Sequence, residues 1–310
     1  MTPPANFFLY RASANIPLMQ QAAVHPVVHI ARDIKLSHTV FAMPFALLAT
    51  FAAARGMPAW PLLGLILVCM VFARTFAMLA NRYFDREIDR NNPRTAGRAL
   101  PSGRLQPGQV LTVMGLCAAG LIAGAAGFGL LDGNWWPVIF SPLVLAWLAA
   151  YGLMKRFTLL CHFFLGIALA LSPLAAALAI DPSYLQHAPA WYLAGFVALW
   201  VGGFDVIYAM QDIEHDQRDG LHSIPARLGP AGALLIAKLA HLGALGLLVM
   251  VYRAEPLLGR VFFAGVCIVG LALIVEHIAA ARGRFTMAFF TLNGLISLIL
   301  GALGIADILL

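Results

Sequence analysis

The chain has 310 residues, 61% of them hydrophobic and only 11% charged, with a mean hydropathy of +0.84. Soluble domains carry about 25% charged residues, so this composition excludes an ordinary soluble domain and belongs to a polytopic membrane protein. The net charge of +6 follows from basic loops at one membrane face and gives no reason to invoke nucleic acid.

In chain order, residues 1–30 come first. They lack a charged segment followed by an apolar core and a small-residue cleavage site, so they do not read as a signal peptide. They are expected to form a loosely ordered cytoplasmic arm ahead of a single transmembrane domain over 31–310. Nine apolar runs come next, each near the roughly 20 residues that cross a bilayer. They lie at about 36–54, 60–83, 109–130, 135–154, 158–180, 190–211, 229–252, 256–280 and 285–308. With the N-terminus inside, the inner segments hold 14 of the 20 Lys and Arg, and the outer loops only Arg55, Arg253 and Arg260. That bias sets the orientation and puts the loops at 84–108 and 212–228 in the cytoplasm. Cys69, Cys117, Cys161 and Cys267 all fall inside spans without metal or redox spacing, and read as small packing residues.

Each of those two loops opens on an acidic cluster. Asn81, Asp85 and Asp89 recur every four residues, as do Asp212 and Asp216. On a helix that spacing puts side chains about 40° apart and about 6 Å along the axis, so each cluster faces one way. Acids at a helix C-terminus oppose the macrodipole, and one such cluster alone reads as a solvated helix end. Two matched clusters on one membrane side favour function. Paired oxygen ligands suit Mg²⁺ holding a diphosphate. Asp85 to Asp212 and Asp89 to Asp216 are each 127 residues, which suggests two parallel four-helix halves plus a ninth helix around a central cavity, with the site where the halves meet.

Within the spans, Arg74 leads the first cluster by seven residues, and Asp205 and Tyr208 precede Asp212 in one stripe. An ionisable residue in a span faces a partner or a wet cavity. Arg74 and Asp205 therefore either satisfy one another or meet a substrate. Lys35, Arg94, Arg98, Lys155 and Arg156 can meet phosphate oxygens, although the inner-loop bias supplies basic residues anyway. His38, early in the first span, is either a structural histidine or a substrate contact. His215 and His222 have no zinc spacing, and there is no P-loop, dinucleotide fingerprint or serine-hydrolase elbow.

NRYFDREIDRNNPRTAGRALPSGRL, YGLMKRFT and DVIYAMQDIEHDQ together resemble the intramembrane aromatic prenyltransferases of the 4-hydroxybenzoate polyprenyltransferase type, over about residue 30 to the end. IKLSHTVFAMPFALL and GFDVIYAMQDIEHDQRDGLHSIPARLG are most similar to the branch linked to futalosine-route menaquinone synthesis. The resemblance implies an enzyme of quinone synthesis in a bacterial inner membrane, with its site facing the cytoplasm. It implies Mg²⁺ held by Asn81, Asp85, Asp89, Asp212 and Asp216, a polyprenyl diphosphate and an aromatic acid as substrates, and no obligate protein partner. Tyr151 would then stabilise an allylic cation, and Arg156 or Lys35 would grip the acceptor carboxylate. Haem, homogentisate and chlorophyllide are other acceptors within this class. A transporter is the rival outside it, kept open by Gly202-Gly203 as an interruption of the sixth span.

Overall fold

The computed structural model describes residues 41–285 and 287–310, with Ala288 and Phe289 described through their backbone. The first expected span begins before this range, and Lys35, His38 and the 1–30 arm lie outside it. The described residues are helical. In order they are α1 (Met43–Ala53), α2 (Trp60–Asn91), α3 (Pro107–Asp132), α4 (Trp136–Ala150), α5 (Cys161–Ile180), α6 (Ala188–Ala209), the short α7 (Ile213–Arg218), α8 (Ile224–Ala254), α9 (Arg260–Ala281) and α10 (Asn293–Leu309). Among the described residues, eight segments are long and apolar enough to cross a membrane, and α1 is a shorter apolar helix at the place of the first expected span. The fold is the all-α membrane bundle that the sequence predicts.

Helix starts obey local chemistry. Proline occupies the first turn of α1, α2, α3, α4, α6 and α8, where its missing N–H costs no hydrogen bond and its fixed φ suits the helix. The end of α3 is closed by Gly133 at φ 71°, a left-handed cap that glycine adopts without strain.

Two expectations about helix length change. The second helix runs to Asn91 rather than stopping near 83. Its last two turns carry Asp85 and Asp89, because polar residues end a hydropathy signal without ending a helix. The sixth does the opposite. It stops at Ala209, passes through a 3₁₀ turn at Met210–Asp212 and resumes as α7. Three residues at about 120° instead of 100° rotate α7 by about 60° relative to a continued helix. Asp205, Asp212 and Asp216 therefore do not share the single unbroken α-helical stripe expected of them.

Close helix packing explains Gly202 and Gly203. A Cβ at Gly202 would fall 2.5 Å from the Phe163 ring, and one at Gly203 would strike the His241 ring. The glycines admit those neighbours, and α6 continues through them without interruption. Gly166 does the same for α5, since a Cβ there would strike the Ala198 carbonyl of α6. Phe45, Phe196 and Trp200 fill the centre, with Phe45 edge-on to both at 5.5 and 5.4 Å.

A polar chain crosses this core. Trp200 Nε1 donates to Asn293 Oδ1 at 2.7 Å, and Asn293 Nδ2 donates to Glu276 Oε1 at 2.9 Å. His241 Nε2 meets the Trp200 carbonyl at 3.2 Å, and His241 Nδ1 meets His277 Nε2 at 3.1 Å. These bonds tie α6, α8, α9 and α10, at the modest strength of roughly 0.6–2 kcal/mol each that interhelical bonds in membranes show.

Gly166→Ala must push α5 from α6 and is expected to cost about 1–3 kcal/mol, seen as a lower unfolding midpoint in detergent. Gly115→Ala, where a Cβ meets nothing within 4 Å, should leave the midpoint unchanged or slightly raised.

Candidate active site

A cavity of about 990 Å³ runs inside the bundle, bordered by Ile66, Cys69 and Met70 on α2 and continuing along the same helix to Asp89. Leu121, Phe128, Val144, Leu148 and Leu165 complete its apolar walls. Asn81, Asp85 and Asp89 border it from α2, and Asp212 and Asp216 from the segment after α6. The two acidic clusters thus share one chamber, apolar over most of its length and charged at one end.

Each cluster is met by basic side chains. Arg98 Nη1 pairs with Asp89 Oδ2 at 2.6 Å, and Lys155 Nζ with Asp85 Oδ2 at 3.0 Å. Arg94 clamps Asp212 with two bonds, Nε to Oδ1 at 3.0 Å and Nη2 to Oδ2 at 2.6 Å. Burial of Arg94 opposes its charge, but the bonds and charge of Asp212 outweigh this and raise its proton affinity above that of an ordinary arginine. Its Nη1 also reaches the Tyr208 hydroxyl at 3.3 Å. Asn92 Nδ2 donates to Asp212 Oδ1 at 3.2 Å, so the residues just after α2 bridge the two clusters directly. Asp216 and Ser223 both border the cavity on this side.

Connecting segments do this work. The chain after α2 turns through an Arg94 N–H bond to Asn92 Oδ1 at 3.0 Å and a Thr95 hydroxyl bond to the Asp89 carbonyl at 3.0 Å. These turns aim Arg94 and Arg98 back at the cavity. The Tyr151–Arg156 segment is a 3₁₀ helix, and the His222 N–H fastens it by donating to the Lys155 carbonyl at 2.6 Å. Gly152 has no side chain where Asn81 Nδ2 approaches, 2.8 Å from a would-be Cβ.

Of the expected site residues in the described range, Asn81, Asp85, Asp89, Arg94, Arg98, Tyr151, Lys155, Arg74, Asp205, Tyr208, Asp212 and Asp216 all border the cavity. Arg156 is turned to α2, where its Nη2 donates to the Phe84 carbonyl at 2.5 Å and lies 3.6 Å from Asp85 Oδ1. Arg74 and Asp205 do not satisfy each other. Asp205 Oδ2 pairs with His162 Nδ1 at 2.7 Å, while Arg74 Nε is buried with no hydrogen-bond partner among the described residues. His162, Asn92 and Ser223 escaped the sequence reading. For His162 a signal existed, since it is an ionisable residue at the edge of an apolar span, the feature that singled out Arg74 and Asp205.

The oxygen-rich donor set suits a hard cation such as Mg²⁺, and Asp85 Oδ1 is buried without a hydrogen bond. No group of three His, Cys, Asp or Glu side chains among the described residues converges as a ready-made cage. The carboxylates are engaged by Lys and Arg instead. A small cation that keeps several waters and shares a phosphate fits this arrangement better than an all-protein cage would.

Fold and site together define a membrane helix bundle whose one chamber joins long apolar walls to a charged end. The profile of the UbiA prenyltransferase family matches residues 42–299. The chain belongs to that family and is an integral-membrane transferase. It is 30% identical over 240 residues to the 4-hydroxybenzoate octaprenyltransferase of Aliivibrio fischeri strain MJ11, covering 76% of this chain and 79% of that one. It is also 30% identical over 262 residues to the enzyme of that name from Shewanella woodyi, covering 83% and 87%. The apo structure of a UbiA homolog from Aeropyrum pernix K1 superposes with a TM-score of 0.80 at 33% identity, over 89% of this chain and 99% of that one. A UbiA homolog from Archaeoglobus fulgidus, bound to GPP and Mg²⁺, shares the fold with a TM-score of 0.64 at 17% identity, over 90% and 99%.

Arg98→Met leaves the buried Asp89 carboxylate without its partner, at an expected cost of about 1–3 kcal/mol, low for a buried pair because Arg98 keeps some exposure. The double variant Arg98→Met/Asp89→Asn should regain most of that loss when detergent unfolding midpoints are compared.

Proposed function

We propose that the protein transfers a polyprenyl group from its diphosphate to an aromatic hydroxy acid of the 4-hydroxybenzoate or 1,4-dihydroxy-6-naphthoate type, in a Mg²⁺-dependent step of ubiquinone or menaquinone synthesis at the cytoplasmic face of a bacterial inner membrane. One observation carries this reading: two carboxylate clusters with matched basic residues close one end of a chamber that is otherwise apolar. The relatives' names favour 4-hydroxybenzoate, and the wording of the motifs favours the naphthoate.

Asn81, Asp85, Asp89, Asp212 and Asp216 are the residues that would hold the metal. Bound there, Mg²⁺ supplies charge neutralisation for a diphosphate leaving group. Arg94, Arg98 and Lys155 exchange their carboxylate partners for phosphate oxygens, with charge-assisted bonds of the same kind. The apolar walls take the isoprenoid, which has no favourable place in water, and keep water from an allylic cation. Tyr151 borders this region and offers its ring face to positive charge. Arg74, half-buried in the wall with a buried Nε that has no hydrogen-bond partner among the described residues, suits the acceptor carboxylate better than Arg156, which α2 already occupies.

Membranes containing the protein, incubated with Mg²⁺, a polyprenyl diphosphate and either acid, should yield a prenylated acid by mass spectrometry, and EDTA should abolish it. Asp85→Asn and Asp212→Asn are each expected to lower turnover by about 10²-fold or more while leaving the protein extractable and folded. Normal turnover in those variants would remove the metal assignment. Absence of product from both acids with wild type would remove the acceptor class.

A further inference from the structure

His162 lies in the first turn of α5, 3% exposed, with Nδ1 2.7 Å from Asp205 Oδ2. Its Nε2 lies 3.3 Å from the backbone nitrogen of Ile224. A backbone N–H can only donate, so Nε2 accepts and the ring proton sits on Nδ1, directed at Asp205. One neutral tautomer is thereby fixed, and its single N–H is committed to one carboxylate oxygen.

The anchor is itself anchored. Ile224 opens α8 beside its cap Ser223, whose hydroxyl accepts from the Ala226 N–H at 3.3 Å. The preceding His222 N–H is held by the Lys155 carbonyl. Asp205 is half-buried on the cavity wall, and His162 is its hydrogen-bond partner among the described residues. It precedes Asp212 by seven residues, and Arg74 borders the same cavity from α2. An acceptor held by its carboxylate at Arg74 would present its ring inside the chamber that Asp205 faces. A histidine with a purely structural task needs only a carbonyl; this one is spent on a carboxylate facing the chamber.

Resting on the function proposed above, we infer that Asp205 is the base that takes the acceptor's hydroxyl proton and that His162 is the residue that positions it. The acceptor O–H bond breaks as an O–H bond forms on Asp205, and the phenoxide enriches the ring carbon ortho to it. That carbon bonds to the allylic carbon of the donor, whose C–O bond to diphosphate breaks with the electron pair leaving on diphosphate. The ring carbon then loses its hydrogen as a proton to the departing diphosphate. The ring oxygen recovers its proton from Asp205, which returns to a carboxylate. His162 touches no reacting atom and acts through the orientation of Asp205.

The test compares wild type, Asp205→Asn, His162→Leu and His162→Gln in membranes, with Mg²⁺, a polyprenyl diphosphate and ring-fluorinated acceptor acids of increasing hydroxyl acidity. Asp205→Asn and His162→Leu should lose about 10²-fold or more in kcat on the least acidic acceptor, with KM for the diphosphate little changed. The deficit should narrow as the hydroxyl becomes more acidic, since less help is needed to remove its proton. Glutamine can donate to Asp205 through its amide N–H and accept from Ile224 through its oxygen, so His162→Gln should stay within about threefold of wild type. A deficit of equal size across the series, or wild-type kcat in Asp205→Asn, would overturn the base assignment. Thermal stabilisation by Mg²⁺ with a non-reactive prenyl thiolodiphosphate is expected in all four proteins; its loss in Asp205→Asn would make the role structural and also overturn it. A wild type that prenylates none of the acids fails at the preceding step, and the proposed function falls with this inference.

Discussion

Carboxylates can stay ionised at the end of an apolar helix bundle only where opposite charge is brought to them, and that requirement shapes the charged end of this bundle. Three carboxylates, Asp85, Asp89 and Asp212, have a basic side chain at 3.0 Å or closer. None of those basic residues comes from the middle of a span. Arg94 and Arg98 arrive on the turns after α2, and Lys155 on the 3₁₀ segment after α4. Segments that hydropathy would dismiss as connectors thus supply half of the charged site, and their hydrogen bonds to Asn92, Asp89 and His222 hold them to it.

The rest of the chamber answers to a different need. Its walls are apolar for the span length of α2, and the polar groups within them are few and placed one by one: Arg74, Asp205 with His162, Tyr151. Charge at the mouth and isolated polar groups deeper in are what a substrate with a diphosphate head, an apolar tail and a phenolic partner would require. For such a substrate the membrane would be the solvent of the tail, and the bundle would keep water from the reacting end.

Much of this was legible in the sequence. Nine apolar runs of span length cannot do anything else in water, and four-residue spacing alone put Asn81, Asp85 and Asp89 on one helix face. What the sequence hid depends on rotation and phase. The Met210–Asp212 turn has no compositional signature, yet it re-aims Asp212 and Asp216. That Asp205 meets His162 rather than Arg74 is decided by how closely α5 and α6 approach at Gly166 and Gly202, which no periodicity reports. Asn92 and Ser223 look like ordinary loop residues until the folded loops bring them to Asp212 and Asp216.

The buried bond between Asn293 and Glu276 has a consequence for how the protein is made. A translocon presented with α9 alone would meet a carboxyl side chain inside the span, five residues before its end, at a cost below the roughly 2.5–3.5 kcal/mol of an acid at mid-helix. Its partner amide is synthesised 17 residues later, at the start of α10. Lateral release of the last hairpin as a unit, with α6 already waiting to receive Asn293 through Trp200, lets lipid never see the bare carboxyl. The last helix, α10, is in this sense a chaperone for the one before it.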